Sequence, residues 1–196
     1  MMKEKIKYQL INYEKNESML QTLPHIRYLD LAIVFYSEIE EEDGLPYGLL
    51  TWRGLESLDM SMEELEDLAA ANTPREMPFQ LEKLETLVKK LLGDQYGEQK
   101  GGRLPMYVLT NERRLFGAAC ILYPGLLEWI SRKFSSDLYI LPSSIHECIL
   151  IPVGKGASQE QLQKIVQEIN GTQVPEDEIL SDHVYIYRQE GDAIIF

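Results

Sequence analysis

The sequence predicts an α+β fold in which a mostly antiparallel sheet is covered by helices. Three observations carry this. Short runs rich in β-branched and aromatic residues recur along the chain, apolar stripes at helical spacing lie between them, and hairpin-sized turns outnumber possible crossovers. The C-terminal half reads β-β-α-β-β-α-β.

The first strand is the segment Leu29 to Ile39, with Ile33, Val34, Phe35 and Tyr36 in succession. The acidic run Glu38 to Asp43, followed by Gly44 and Pro46, reads as a solvated hairpin loop, and a second strand follows near Tyr47 to Arg53. Ser61 and Glu64 have capping-box spacing. Behind them Met62, Leu65, Leu68 and Ala69 mark a helix that runs to about Asn72. Pro74 disfavours helical geometry at the residue before it and predicts the stop. Leu81, Leu84, Leu87, Val88, Leu91 and Leu92 form the stripe of a second helix, with Glu85 and Lys89 four apart outside and Gly93 as its end. The glycine-rich stretch from Gly93 to Gly102 is the best linker candidate.

After it, Met106 to Thr110 and Gly117 to Tyr123 read as a hairpin turned at Asn111 to Arg114. Pro124 suits the first turn of a helix that buries Leu126, Leu127, Ile130 and Phe134. Asp137 to Leu141 and Cys148 to Val153 are strands around Pro142-Ser143-Ser144. A helix capped near Ser158 carries Leu162, Ile165, Val166 and Ile169 to Asn170-Gly171, and Val184 to Tyr187 is a last strand. Two strands and two helices make a thin core, so the expectation is one composite domain over 1–196: residues 1–92, a linker at 93–105, and a sheet core at 106–196.

Composition bounds the function. The chain is 44% hydrophobic and 26% charged, too apolar for disorder. No apolar stretch follows the basic N-terminus and the longest apolar runs are too short to span a bilayer, so the expected address is the cytoplasm, without a membrane partner. Two cysteines, Cys120 and Cys148, read as core thiols rather than a disulfide framework. A net charge of −13 repels phosphate backbones, so no direct nucleic-acid binding is expected, and it favours a basic protein partner.

Chemistry-bearing motifs are sparse. His25, His146 and His183 are scattered, and alternation along a strand would turn Glu147 away from His146 and Cys148, so no metal and no cofactor are expected. Gly154 to Ser158 lacks phosphate-loop spacing and reads as a glycine turn with Ser158 as helix cap. Ser143 and Ser144 lie in a proline bend where a hydroxyl can be exposed; His183 is the candidate base, and the adjacent Asp182, or instead Glu147 or Asp137, the orienting carboxylate. The same serines can instead satisfy local backbone donors. Asn111 and Asp182 are the candidate ligand-binding residues.

Taken together, Tyr107-Val108-Leu109-Thr110-Asn111, Phe116-Gly117-Ala118-Ala119, Leu122-Tyr123-Pro124-Gly125, Leu141-Pro142-Ser143-Ser144-Ile145-His146-Glu147 and Leu180 to Tyr185 resemble an uncharacterised bacterial family, domain of unknown function 5688. Leu29 to Ala32 and Ala70 to Thr73 resemble its N-terminal portion. The resemblance covers most of the chain. It implies a family found in gut anaerobes and linked to mobile elements, and implies no activity, cofactor or catalytic residue. Three functions are therefore carried: a non-enzymatic interaction protein with an acidic surface, which is favoured; an uncommon serine hydrolase using Ser143 or Ser144 with His183 and Glu147; and a small-ligand-binding regulatory domain with its site near Asn111, Ser143 and His183.

Overall fold

The computed structural model describes residues 5–38, 47–92 and 104–196. The fold is α+β with antiparallel sheets, as the patterning predicts, and the chain divides into two compact units, 1–78 and 79–196.

The first unit opens with a strand that the patterning above does not mark, β1 (Ile6–Asn12). A helical turn, α1 (Glu17–Leu20), leads to β2 (His25–Tyr28), β3 (Leu31–Glu38) and the short β4 (Tyr47–Leu49). The sheet runs β1-β3-β2, with β4 continuing the β2 edge of β3; every pair is antiparallel. Ile11, Ala32 and Val34 share one face, and Leu20 and Leu23 close over it. The second expected strand is shorter than predicted, because at Trp52 the chain turns into α2 (Trp52–Ser57), capped by the Thr51 hydroxyl.

The capping box is present at α3 (Met62–Glu76): Ser61 Oγ accepts from the Glu64 N–H while the Glu64 carboxylate accepts from the Ser61 N–H. Contrary to the expected stop at Asn72, the helix continues through Pro74 for another half turn. Proline removes only one ladder bond so near the helix end, and the Thr73 hydroxyl donates to Ala69 O at 2.7 Å beside that gap. The continuation serves the sheet. β1 is an edge strand, and its outward groups are met from α3: Asn72 Nδ2 donates to Ile6 O at 3.0 Å and Tyr8 N–H donates to Thr73 Oγ1 at 3.1 Å. Lys7, fully buried on β1, reaches Glu38 at 3.3 Å and Glu76 at 3.0 Å.

The second unit holds a six-stranded antiparallel sheet in the order β10-β9-β7-β8-β6-β5. Its first member corrects the helix expected from Leu81. Residues Phe79–Lys83 form β5, with Leu81 opposite Leu109, and the helix α4 starts only at Leu84 and runs to Leu92. Apolar residues three apart fit either period over so short a run, and sheet pairing decides it. The expected helix end at Gly93, the linker from Gly93 to Gly102, and most of the acidic loop before Tyr47 lie outside the described residues.

β6 (Tyr107–Asn111) is followed not by a second hairpin strand but by a 3₁₀ segment, Gly117–Leu122, and then α5 (Leu126–Phe134). Gly125, at φ +68°, is the N-cap of α5, so Pro124 precedes the helix rather than opening it. β7 (Leu138–Ser144) and β8 (Glu147–Pro152) form the central hairpin. The helix α6 (Gln159–Thr172) is closed by a Ser158–Gln161 capping box and packs Leu162 and Val166 on Leu141 and Ile151. β9 (Tyr185–Arg188) pairs with β7, and a further strand, β10 (Ala193–Ile195), completes the edge. Among the described residues no helix is long and apolar enough to cross a membrane.

Candidate functional site

All the candidate residues fall in the second unit, at the end of β6, the β7–β8 hairpin and the segment between α6 and β9. Pro142 interrupts β7, and the register shifts between Leu141 and Ser144, which brings Ser144 opposite Glu147 across a two-residue turn. Ser144 Oγ accepts from the backbone N–H of His146 at 3.1 Å. Ser144 and Glu147 are thus brought together as the two ends of one tight turn. Ser143 lies beside Ser144 in β7.

The residue in the turn, His146, is the most densely engaged of the group. Its carbonyl accepts from the Thr110 hydroxyl at 2.8 Å, and its ring Nδ1 accepts from the Phe116 N–H at 3.1 Å. The second bond requires a bare Nδ1, so the neutral ring carries its proton on Nε2. That nitrogen faces Glu178 Oε1 at 3.9 Å, while the Glu178 carbonyl accepts from Ile145 N–H at 2.9 Å. The Phe116 and His146 rings lie nearly parallel, 13° apart with centroids at 5.8 Å.

Two residues of the loop that His146 grips adopt the left-handed region, Arg114 at φ +52° and Phe116 at φ +54°. For such side chains this conformation costs about 1–3 kcal/mol each. Asn111 compensates locally. It is buried, its Nδ2 donates to Leu115 O at 2.7 Å, its Oδ1 accepts from Leu115 N–H at 3.3 Å, and its own carbonyl accepts from Arg114 N–H at 3.0 Å. Gly117 follows because nothing larger fits: a Cβ there would lie 2.2 Å from Thr110 Oγ1 and 2.5 Å from His146 O.

His183 and Asp182 are exposed and their bonds run elsewhere. His183 N–H donates to Ser181 Oγ at 2.9 Å, its Nδ1 lies 3.5 Å from the same hydroxyl, and its ring stands edge-on to Phe196 at 5.3 Å. Asp182 Oδ1 accepts from Asn170 Nδ2 at 2.8 Å, and its carbonyl accepts from the Gln163 amide. These are the bonds by which α6 holds the chain leading into β9. The bonds of Ser144 knit the hairpin, and those of His183 and Asp182 knit the α6–β9 junction.

Two features went unmarked in the sequence. From its residue type alone His146 suggests only a metal ligand; the signal that points to its role is a serine two residues before it, the spacing of a hydroxyl-capped turn. The other is an apolar cleft of about 550 Å³ between the start of α4 and the approach to β6, lined by Leu84, Val88, Leu104, Pro105 and Met106 with Lys83 and Glu85 nearby. Cys120 and Cys148 are buried free thiols. Burial pushes the Cys120 thiol up to about 12 and raises Cys148 as well, so both stay protonated and unreactive at neutral pH. Among the described residues no three His, Cys, Asp or Glu side chains gather as metal ligands would.

Comparison with curated proteins and with solved structures yields no match. The family signature, by contrast, extends from the first residue almost to the last, through both units and every candidate position above. The chain belongs to the family of unknown function DUF5688, whose sequence model matches residues 1–189.

Proposed function

We propose that the chain is a non-enzymatic, cytoplasmic binding protein that engages a basic protein partner through an acidic helical face. One observation carries the reading. Between Gly54 and Pro74 the sequence has six carboxylates and no Lys or Arg, and all six (Glu56, Asp59, Glu63, Glu64, Glu66 and Asp67) are exposed on α2, α3 and the turn between them. The opposite side of α3 buries Leu65 and Ala69, with Asn72 and Thr73 bound to β1. A fixed row of like charges on a docked helix raises the local potential well above that of scattered surface acids, and it steers a basic partner in a salt-dependent way.

The bonding around Ser144 supports this reading over the hydrolase. Its hydroxyl is aligned on a backbone N–H, and Asp182 and His183 are bound to Asn170 and Ser181. Asn111, a candidate ligand-binding residue, is buried and holds Leu115. The net charge of −13 supports a protein partner over nucleic acid. The family resemblance supports a bacterial, mobile-element setting for that partner.

The test is a native pulldown across a salt series, with wild type and with the triple variant Glu63→Gln, Glu66→Gln, Asp67→Asn. A defined partner held at low salt, released by added salt and absent from the variant is the expected result. No partner at any salt, or one that the variant retains unchanged, overturns the reading. Labelling of the folded protein by a serine-directed phosphonate, abolished in Ser144→Ala or Ser143→Ala, would move the assignment to the hydrolase.

A further inference from the structure

We propose that His146 is a proton-sensitive latch that holds the loop between Asn111 and Phe116 closed while its ring is neutral and releases it when the ring takes a proton. The loop is held from two sides. Asn111 grips Leu115 from within, and His146 grips Phe116 from the neighbouring hairpin through the Nδ1 acceptor at 3.1 Å. Protonation turns that acceptor into a donor facing a donor, so the Phe116 N–H loses the Nδ1 acceptor in a buried position. The loop has reason to leave when that happens, because Arg114 and Phe116 both sit in the left-handed region and are kept there by these contacts.

A second state for the ring is already in place. Nε2 lies 3.9 Å from Glu178 Oε1, too long for a hydrogen bond and close enough that a charged ring gains by moving toward it. Glu178 is itself tied to the turn through its carbonyl and Ile145 N–H at 2.9 Å, so its main chain stays beside the ring. Neutral, the ring belongs to Phe116; charged, it belongs to Glu178. The other charged or titratable groups on the surrounding elements are Glu147, next to His146 on β8, Arg114 in the loop, and the thiols of Cys120 and Cys148. Arg114 lies 3.8 Å from Glu82 on β5, and the two thiols stay neutral through the range in which a histidine ordinarily changes charge. The ring is partly open to solvent, with 29% of its side-chain surface exposed, so protons reach it without unfolding. Release frees the backbone of the Glu112–Leu115 loop, whose Arg113 and Arg114 already face solvent, a basic segment on an otherwise acidic protein.

The experiment is NMR on the full chain between pH 8 and pH 5, following the His146 ring nitrogens and the hydrogen-exchange protection of the Phe116 amide together. Protection, corrected for the intrinsic exchange rate, is expected to fall about tenfold to a hundredfold in step with protonation of the ring, as for a buried N–H that loses its acceptor. His146→Asn keeps an acceptor oxygen near the Nδ1 position and cannot titrate; its Phe116 protection is expected to be flat across the range. Glu178→Gln removes the competing carboxylate, so release is expected at lower pH with protection at pH 8 unchanged. Protection in wild type that does not follow the ring, a ring that keeps a bare Nδ1 down to pH 5, or an equal fall in His146→Asn overturns the latch.

Discussion

Replacing Gly117 with alanine tests how tightly the loop, the hairpin and β6 are joined. The added Cβ would sit 2.2 Å from Thr110 Oγ1, 2.5 Å from His146 O and 2.8 Å from Asn111 N. Thr110 Oγ1 and His146 O form a 2.8 Å hydrogen bond with each other, and His146 O and Asn111 N are backbone, so the one side-chain atom of the three is a short, bonded hydroxyl rather than the far end of a flexible side chain. Relief requires the turn to back away from β6. Overpacking of this kind costs about 1–3 kcal/mol and loss of the hydrogen bond about 1 kcal/mol more, so about 3 kcal/mol is expected in total. With a urea m-value of about 2 kcal/mol/M, that lowers the midpoint of the second unit by about 1.5 M. The chain has two tryptophans, Trp52 in the first unit and Trp129 in the second, so fluorescence in a Trp52→Phe background reports the second unit alone. Gly171→Ala is the control. It lies in α6 with open space around it, and alanine there is expected to stabilise by a few tenths of a kcal/mol. A cost below about 1 kcal/mol at Gly117, or one no larger than at Gly171, would refute the reasoning.

Four other outcomes are expected. Asn72→Ala strips the partner from Ile6 O on the edge of β1 and should destabilise the first unit by about 1–3 kcal/mol, read from Trp52 fluorescence during urea unfolding. Lys7→Met leaves two carboxylates that are about one-third exposed and can turn to water, costing about 1 kcal/mol; Glu38→Ala with Glu76→Ala leaves a buried ammonium unpaired and costs about 3–5 kcal/mol by the same assay. Burial alone would raise the Glu76 carboxyl, but hydrogen bonds from Lys7 and Arg75 hold it below the usual carboxylate range. Its contribution is therefore complete above about pH 4.3 and lost as pH falls through the depressed folded value, so urea midpoints of Glu76→Gln and wild type should converge in acid. Asp137 is likewise held low, by the Gln189 N–H first and Arg188 second, and Asp137→Asn should flatten the acid limb of the second unit's stability below about pH 3.9.

The parts of the fold that the sequence shows are those where one period dominates. α3 and α6 announce themselves through capping boxes and apolar stripes, and β3 through four consecutive β-branched or aromatic residues. β1 escaped because its buried positions include Lys7, which is paired with Glu38 and Glu76, and Gln9, and both break the apolar run. β5 escaped because Leu81 and Leu84 keep helical spacing across a boundary that only the ladder to β6 defines. Residues 117–122 read as a strand because Cys120, Ile121 and Leu122 suit one, yet Phe116 in the left-handed region and the crowding at Gly117 wind them into a 3₁₀ turn. At the candidate site the sequence marked the right stretch and the wrong centre. Ser144 and Glu147 do meet, but the residue that ties the region together is His146, whose partners come from β6 and from the loop after it, more than 25 positions away in the chain.

The same device appears in both units and accounts for much of what resembled chemistry. A backbone group at a strand edge or turn has to find a partner, and where no strand is available a polar side chain supplies it. Asn72 and Thr73 do this for β1. Gln163 does it for the Val184 N–H and Gln159 for the Val184 carbonyl, while Asn170 binds the Ser181 carbonyl. Ser144, Thr110 and Asn111 do it around the β7–β8 turn. Polar side chains used this way gather beside one another for reasons of backbone geometry, so a cluster of Ser, His and Asp at such junctions is not by itself a sign of chemistry. His146 differs from the others because its acceptor atom is also a titratable one. An asparagine in its place would hold the Phe116 N–H at any pH, whereas histidine makes the closure of that loop depend on protons.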